Sequence, residues 1–206
     1  MLTLYQRTDC PFCWKVRIAL TELSLEYEAV DTRLGEKHAE VLRLSPTGNV
    51  PVLVDGDIAI WESSVILDYL DHRYALGRLI PFEPVAETRV RLLQAYSDKT
   101  VGISLRDLVF EKRSKPKHEW DNDVIRQSEE KWATCQAWLE SEIGNREFFG
   151  DRFSAADCAL AARFGIAEAY GAAIPIEYPK LRMWFQTIKA RRSWKVAYPS
   201  SFIRTE

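Results

Sequence analysis

The stretch SPTGNVPVLVDGDIAIWESSVILDYLD, residues 45 to 71, indicates a β-hairpin that leads directly into a helix. In the part VPVLVDGDIAIW, apolar strand-like residues stand on both sides of Asp55 and Gly56, and an Asp-Gly pair suits the tight turn of a hairpin. The part SSVILDYLDHRY, which begins at Ser63, predicts a helix. We therefore expect two antiparallel strands that are joined by a short turn and followed by a helix.

The beginning of the chain predicts a strand followed by a helix. LTLYQ, residues 2 to 6, is a short apolar run with strand character, and Val16, Leu20 and Leu23 follow it at helical spacing. Pro11 suits the first position of that helix, because a residue there has no intrahelical use for an N–H group.

The segment between this helix and the hairpin supplies two more elements. LEYEAVDTR, residues 25 to 33, alternates as a strand, and GEKHAEVLRLSP, residues 35 to 46, is typical of a short helix. The whole order is strand, helix, strand, helix, strand, strand, helix. This is the order of a thioredoxin-like domain, in which a mixed sheet lies between helices, and we assign it to residues 1 to 78.

The rest of the chain shows no strand-like alternation and predicts helices only. Residues 79 to 86 contain two prolines and are expected to be a linker. Residues 87 to 206 are expected to form an all-helical C-terminal domain, a helical bundle. Within it, Ser154 and Asp157 resemble a capping box at the start of a helix. The predicted fold class is thus α/β followed by all-α.

Composition and charge exclude several classes of partner. The 206 residues include 28 Lys and Arg against 30 Asp and Glu, and a net charge of -2 gives no broad electrostatic reason to expect nucleic acid or a membrane surface. No apolar run approaches the roughly 20 residues of a membrane span, and the N-terminus lacks the pattern of a signal peptide. We therefore expect a cytoplasmic protein with a small ligand and, in that reducing compartment, no permanent disulfide framework.

The motif TDCPFCWKVRIAL, residues 8 to 20, places two cysteines at the start of the first helix. With Pro11 at the first helical position, Cys10 stands at or next to the N-cap, where unpaired N–H groups and the helix dipole favour a thiolate. Cys10 is therefore the candidate nucleophile. Cys13, one turn further along, is the candidate resolving thiol, able to attack a mixed disulfide on Cys10.

Two other interpretations of the cysteine pair stay open at this point. Cysteine is often a small buried hydrophobic residue, so both could be core residues without chemistry. A structural zinc site normally needs a second pair of ligands, and the sequence has no second closely spaced pair of Cys or His, so we expect no metal.

Together, CPFC, SPTGNVPVLVDG and WESSVILDYLD resemble the cytosolic glutathione transferase superfamily in their order and spacing, and the likeness covers nearly the whole chain. The resemblance implies a cis peptide bond between Val50 and Pro51, with the backbone of Val50 binding the cysteinyl part of glutathione. It implies that Glu62 binds the γ-glutamyl amine and Ser63 the γ-glutamyl carboxylate. The position of Ser63 at the start of a helix is consistent with this assignment, because a helix N-terminus favours a carboxylate. Serine is also a common N-cap without any ligand.

The glycine end of glutathione carries a second carboxylate and needs a cation. Lys37 matches the lysine position of omega-like members of the family, and His38 is its competitor. The resemblance also implies a homodimer, in which the first domain of one subunit pairs with the helical domain of the other.

The resemblance leaves three functions open. A cysteine, where conjugating transferases mostly have tyrosine or serine, favours thiol transferase or thiol-disulfide exchange chemistry with glutathione as co-substrate, as in omega-like and glutaredoxin-like members. Conventional conjugation of glutathione to electrophiles is the first alternative. The second is a non-catalytic adaptor, because the segment IWESSVILDYLDHRY also resembles stringent starvation protein A, which binds RNA polymerase.

Overall fold

Four strands form one mixed sheet near the N-terminus of the protein. They are β1 (Leu2–Gln6), β2 (Tyr27–Asp31), β3 (Val52–Asp55) and β4 (Ile58–Trp61), in the spatial order β2-β1-β3-β4. β1 pairs parallel with β2 and antiparallel with β3, and β3 pairs antiparallel with β4. The predicted hairpin is confirmed, and Gly56 in its turn has a φ of +59°, which suits glycine because it has no Cβ.

Three helices complete the predicted thioredoxin-like order: α1 (Pro11–Glu22), α2 (Ala39–Leu44) and α3 (Ser63–Tyr74). Val52 and Leu53 are both fully buried, although successive residues of a strand face opposite sides of a sheet, so both faces are covered at its centre. α1 and α3 pack against each other through apolar residues that are almost completely buried. The sheet between helices is the arrangement that the sequence predicted.

The second part of the chain is helical throughout the described residues. Its elements are α4 (Pro84–Tyr96), a π-helical turn (Ser97–Val101), α5 (Gly102–Ser114), α6 (Asn122–Ile143), α7 (Ala155–Ala169) and α8 (Pro179–Ala190). The predicted capping box lies at the start of α7, where the Ser154 N–H donates to Asp157 at 2.9 Å. The same carboxylate accepts from the indole N–H of Trp184 at 2.9 Å, so it ties α7 to α8.

The computed structural model describes residues 1 to 202, and these divide into two compact units. The first unit contains Met1–Phe82 together with residues 190 to 202, and the second contains Glu83–Lys189. Within residues 1 to 202, no helix is both long enough and apolar enough to cross a membrane.

The end of the described chain differs from the expected domain of residues 87 to 206. α9 (Arg192–Ala197) packs on α1 in the first unit, and the Trp194 ring lies 4.7 Å from the ring of Trp14. Arg191 donates two hydrogen bonds to Glu22, at 2.7 and 2.8 Å, near the end of α1. The physical reason is that α1 carries the large buried Trp14 ring, and the aromatic residues of the C-terminal segment cover it.

Candidate functional site

The strand pairing brings three separate parts of the first unit to one edge of the sheet. Tyr5 of β1 pairs with Val52, and Val52 pairs with Trp61 of β4. The loop after β1, the residues before β3 and the residues after β4 therefore lie side by side. The Cys10 loop, the Val50–Pro51 bond and the Glu62–Ser63 pair are the segments that meet there, so the pairing gathers all but Lys37 of the predicted site residues.

Cys10 occupies the N-cap of α1, as the sequence predicted, with Pro11 in the first turn of the helix. Its pKa is lowered from the ordinary thiol value to about 6. The largest cause is a hydrogen bond from the Cys13 side chain, and the backbone N–H groups of Cys13 and Phe12 and the charge of Arg7 act in the same direction. Burial opposes ionisation but does not outweigh these donors. Cys10 is therefore mostly thiolate at neutral pH.

Cys13 has the opposite electrostatic character. Its side chain is completely buried, and burial raises its pKa well above the ordinary thiol value. Its hydrogen bond to Cys10 and the negative charge there raise the pKa further. All four cysteines of the chain are free thiols. At neutral pH the pair thus consists of one thiolate and one protonated thiol, which is the division of roles that a nucleophile and a resolving thiol require.

A cleft of about 210 Å³ lies within the first unit, beside the loop from Arg7 to Cys10, which we call the cysteine loop. Its lining includes Arg7, the loop from Thr32 to His38, and the residues from Gly48 to Val50. The loop after β2 reaches this position because β2 runs parallel to β1, and the Thr32 N–H donates to the Gln6 carbonyl at 2.7 Å. The cleft therefore joins Lys37 to Val50, which stand far apart in the sequence.

Lys37 is the cation of this cleft that is best suited to bind an anion. Its ammonium lies over Gly48, where a Cβ would be 3.4 Å from Nζ. Arg7 forms an ion pair with Asp9 at 2.6 Å, and Arg33 lies 3.8 Å from Glu36, whereas Lys37 takes part in no ion pair among residues 1 to 202. An unpaired ammonium keeps its full attraction for a ligand carboxylate.

His38, the competitor of Lys37, is engaged in packing. Its ring lies edge-on to the ring of Tyr5, with the centroids 5.5 Å apart. Its Nδ1 atom is buried and has no hydrogen-bond partner, so this side of the ring is turned away from the cleft's solvent. The geometry favours Lys37 over His38 for binding a carboxylate.

The Val50–Pro51 peptide bond is cis and lies immediately before β3. Pro51 is buried, whereas Val50 is partly exposed and lines the cleft. Val50 thus joins the cis peptide bond to the wall of the cleft.

Glu62 and Ser63 stand at the start of α3. Glu62 is the N-cap and has a φ of +67°, a left-handed conformation that is strained for a residue with a Cβ. Its exposed side chain makes no capping hydrogen bond, so the carboxylate is turned to solvent rather than to the helix. Ser63 is buried at the first position of α3, next to N–H groups that have no intrahelical partner.

Sequence reasoning missed two arginines next to the cysteine pair, Arg7 and Arg17. Arg17 is 5% exposed, and its guanidinium donates to the Gln6 side chain, the Thr8 carbonyl and the Ala197 carbonyl. Arg17 follows Cys13 by four residues on α1, a spacing that places both on one helix face and was the available signal. Arg7 gave a weaker signal, since a cation in a loop is usually solvated.

Two protein-family models match the chain in the expected order. One, described as glutathione S-transferase, N-terminal domain, matches residues 4–78, and one described as glutathione S-transferase, C-terminal domain, matches residues 122–187. The chain belongs to the glutathione S-transferase superfamily. The family resemblance that the sequence motifs indicated is thereby confirmed, as is its two-part fold.

Relatives within the glutathione S-transferase superfamily match over nearly full length. The chain is 28% identical to glutathione S-transferase GstB of Escherichia coli, over 93% of this chain and 94% of GstB. It is 25% identical to a stringent starvation protein A homolog of Coxiella burnetii, over 98% of this chain and 93% of the homolog. A crystal structure of a glutathione S-transferase from Methylobacillus flagellatus with glutathione bound superposes with a TM-score of 0.83 at 27% identity, covering 97% and 100% of the two chains.

No group of three or more His, Cys, Asp or Glu side chains is arranged to bind a metal ion within the part of the chain that the structure describes.

Proposed function

We propose that the protein is a glutathione-dependent thiol transferase that acts through Cys10. The observation that carries the proposal is the opposite ionisation of two adjacent thiols at a helix N-terminus, with the pKa of Cys10 lowered to about 6 and that of Cys13 raised. A conjugating enzyme needs a group that stabilises the thiolate of glutathione. A cysteine thiolate does not serve that purpose, because it repels a second thiolate and reacts with disulfides instead.

Glutathione would lie along the edge of the sheet where the predicted site residues meet. The main chain of Val50, beside cis Pro51, would pair with the cysteinyl part, and Lys37 would bind the glycyl carboxylate. Glu62 would bind the γ-glutamyl ammonium, and Ser63 with the first turn of α3 would bind the γ-glutamyl carboxylate. The glutathione-bound Methylobacillus flagellatus structure supports this assignment, because it shares the fold and belongs to the same family.

The reaction would begin when the Cys10 thiolate attacks the glutathionyl sulfur of a glutathionylated substrate. The new bond joins Cys10 to glutathione, the old disulfide bond breaks, and the substrate leaves as a thiolate that takes a proton from water. A second glutathione thiolate then attacks the glutathionyl sulfur, forms glutathione disulfide and returns Cys10 as a thiolate. Over the cycle one disulfide and one glutathione thiol are consumed, and one disulfide and the substrate thiol are formed, so electrons balance.

Cys13 would open a second route from the same intermediate. Once Cys10 is held in a mixed disulfide, its negative charge no longer raises the pKa of Cys13. The Cys13 thiolate would then displace glutathione and form a Cys10–Cys13 disulfide, which two further glutathiones reduce. Burial still opposes ionisation of Cys13, so we expect this route to be the slower one.

An adaptor function is the alternative that a specific observation favours. The stringent starvation protein A homolog of Coxiella burnetii matches almost the whole chain. Such a protein would need neither glutathione nor a thiolate.

We further propose a cytoplasmic homodimer, which is the assembly and location that the family resemblance implies. The second substrate is a small disulfide, or an electrophile if conjugation is the activity.

The test is glutathione-dependent reduction of a small mixed disulfide by the wild type and by the Cys10→Ser, Cys13→Ser and Cys135→Ser variants. We expect Cys10→Ser to lose at least about 100-fold in rate, because the nucleophile is gone. Cys13→Ser should retain most of the activity by the monothiol route, and Cys135→Ser is the control for removal of a buried thiol elsewhere. A wild type that does not reduce the disulfide would refute the exchange mechanism and favour conjugation or the adaptor.

A further inference from the structure

Arg7 contacts both cysteines through its main chain. Its carbonyl accepts the Cys10 N–H at 3.2 Å, which closes the loop from Arg7 to Cys10 as a tight turn. Its own N–H points to the Cys13 sulfur at 3.5 Å. The position of residue 7 is thus fixed relative to the two thiols by hydrogen bonds at both ends of its backbone.

The side chain of Arg7 is held close to this fixed position by an ion pair with Asp9. Its Nε donates to the Asp9 carboxylate at 2.6 Å, and the two side chains are only 22% and 12% exposed. Arg7 also lines the cleft that contains Lys37 and Val50. The ion pair with Asp9 limits the freedom of a long side chain, so the cation stays beside the thiols rather than in bulk solvent.

Other charged groups around Cys10 do not replace Arg7. Arg17 is buried on α1, and its donors are held by Gln6, Thr8 and Ala197. Lys15 extends toward α3, where its ammonium donates to Ser64 at 3.1 Å. Asp9 is the nearby anion, and without the Arg7 guanidinium its charge would oppose a thiolate.

We propose that Arg7 is a positioning residue that stabilises the Cys10 thiolate and links the thiol pair to the glutathione cleft. The inference rests on the proposed function for its link to glutathione, but its effect on the thiol does not depend on turnover. The guanidinium, oriented by Asp9, supplies a cation at the first residue of the cysteine loop. In the mixed disulfide the same cation would lie beside the glutathione chain, between the sulfur and the Lys37 end of the cleft.

The experiment measures alkylation of Cys10 by iodoacetamide between pH 4.5 and 9, with the modified residue identified by peptide mass spectrometry. In Arg7→Gln we expect the midpoint of the pH profile to rise by about one unit, since a neighbouring cation lowers an acid's pKa by about that amount or more. At pH 6 the thiolate fraction would fall from about one half to about one tenth, roughly fivefold. Arg7→Lys should restore most of the shift, because it retains the charge.

Arg33→Gln is the matched control, since Arg33 lines the same cleft but forms its ion pair with Glu36, in the loop after β2. Its profile should equal that of the wild type, and circular dichroism of all variants reports whether they fold. An unchanged midpoint in folded Arg7→Gln would overturn the inference, as would equal shifts in Arg7→Gln and Arg7→Lys. A failure of the proposed function can be told apart from a failure of this inference. In that case the wild type does not reduce the disulfide, although the pH profile of Cys10 alkylation keeps its midpoint near 6.

Discussion

The protein has two pairs of buried cysteines that differ in chemistry. Cys10 is 6% exposed and Cys135 is 4% exposed, so burial alone does not distinguish them. Cys10 caps the N-terminus of α1 and has Arg7 beside it, whereas Cys135 lies in the middle of the 22-residue helix α6. In the middle of a helix the backbone N–H groups are already bonded to carbonyls, so none is left to stabilise a sulfur anion.

The comparison shows that the groups around a thiol, and not its exposure, set the ionisation of Cys10. The first turn of α1 offers N–H groups that have no intrahelical partner, and Pro11 fixes the turn without using a donor. The Cys13 thiol adds a side-chain hydrogen bond, which is the largest single cause of the lowered pKa of Cys10. The thiols of the second unit, Cys135 and Cys158, are equally buried but lie within helices α6 and α7.

The largest effect that would sharpen this comparison is selective labelling. At pH 6 we expect iodoacetamide to modify Cys10 at least about tenfold faster than Cys135 or Cys158, because a thiol of pKa about 6 is half ionised there, even though its intrinsic nucleophilicity is lower. Peptide mass spectrometry of the native protein gives the three rates. Comparable rates for Cys10 and Cys135 would remove the distinction between the two pairs. Unfolded protein is the control, since all thiols should then react alike.

A smaller effect should show whether the hydrogen bond of Cys13, rather than the volume of its side chain, lowers the pKa of Cys10. Cys13→Ala removes the donor to Cys10, and we expect the midpoint of Cys10 alkylation to rise by about one unit, the scale of a hydrogen bond to a charged group. Cys13→Ser retains a donor and should stay closer to the wild type. Cys135→Ala, in which a buried thiol is truncated on α6, should leave the midpoint unchanged. Identical midpoints for the Ala and Ser variants would show that the Cys13 hydrogen bond is not the cause of the lowered pKa of Cys10.

The smallest effect is on the pH dependence of stability. The folded pKa of Cys10 lies below that of an unfolded cysteine, so between pH 6 and 8 the unfolded chain binds more protons than the folded one. The free energy of unfolding of the wild type, relative to Cys10→Ser, should therefore rise with pH across this window. The stability that the Cys10 thiolate contributes is lost as the pH falls through about 6. Denaturant titrations at several pH values measure the difference. The window ends at pH 8 because the raised pKa of Cys13 acts in the opposite sense above it.

A difference between the wild type and Cys10→Ser that stays flat from pH 6 to 8 would mean that folding does not stabilise the Cys10 thiolate.

Much of the first unit was predictable because its signals are local. The turn at Gly56, the strand alternation on either side and the position of Pro11 each depend on residues within a few positions of one another. Cys10 at an N-cap followed from the same kind of signal. The capping box at Ser154 is a further example, since its two partners are three residues apart.

Features that depend on distant pairs were not predictable from those patterns. The return of residues 190 to 202 to α1 joins Trp14 to Trp194, which are separated by most of the chain. The π-helical turn at Ser97–Val101, which lies between α4 and α5, is a second feature that no local pattern of the sequence indicated. Apolar periodicity does not encode which distant face a ring will cover, because many faces offer the same burial.

The sequence by itself determined the order of elements, the family and the placement of Cys10 at a helix start, since all three follow from short-range patterns and motif spacing. Only the tertiary structure decided which cations accompany the thiols. Parallel pairing of β1 with β2 brings Lys37 to the Val50 cleft, and the Asp9 ion pair holds Arg7 there. The ionisation of a buried thiol depends on charges and donors within a few ångströms, and those distances are set by packing between segments that are remote in the chain.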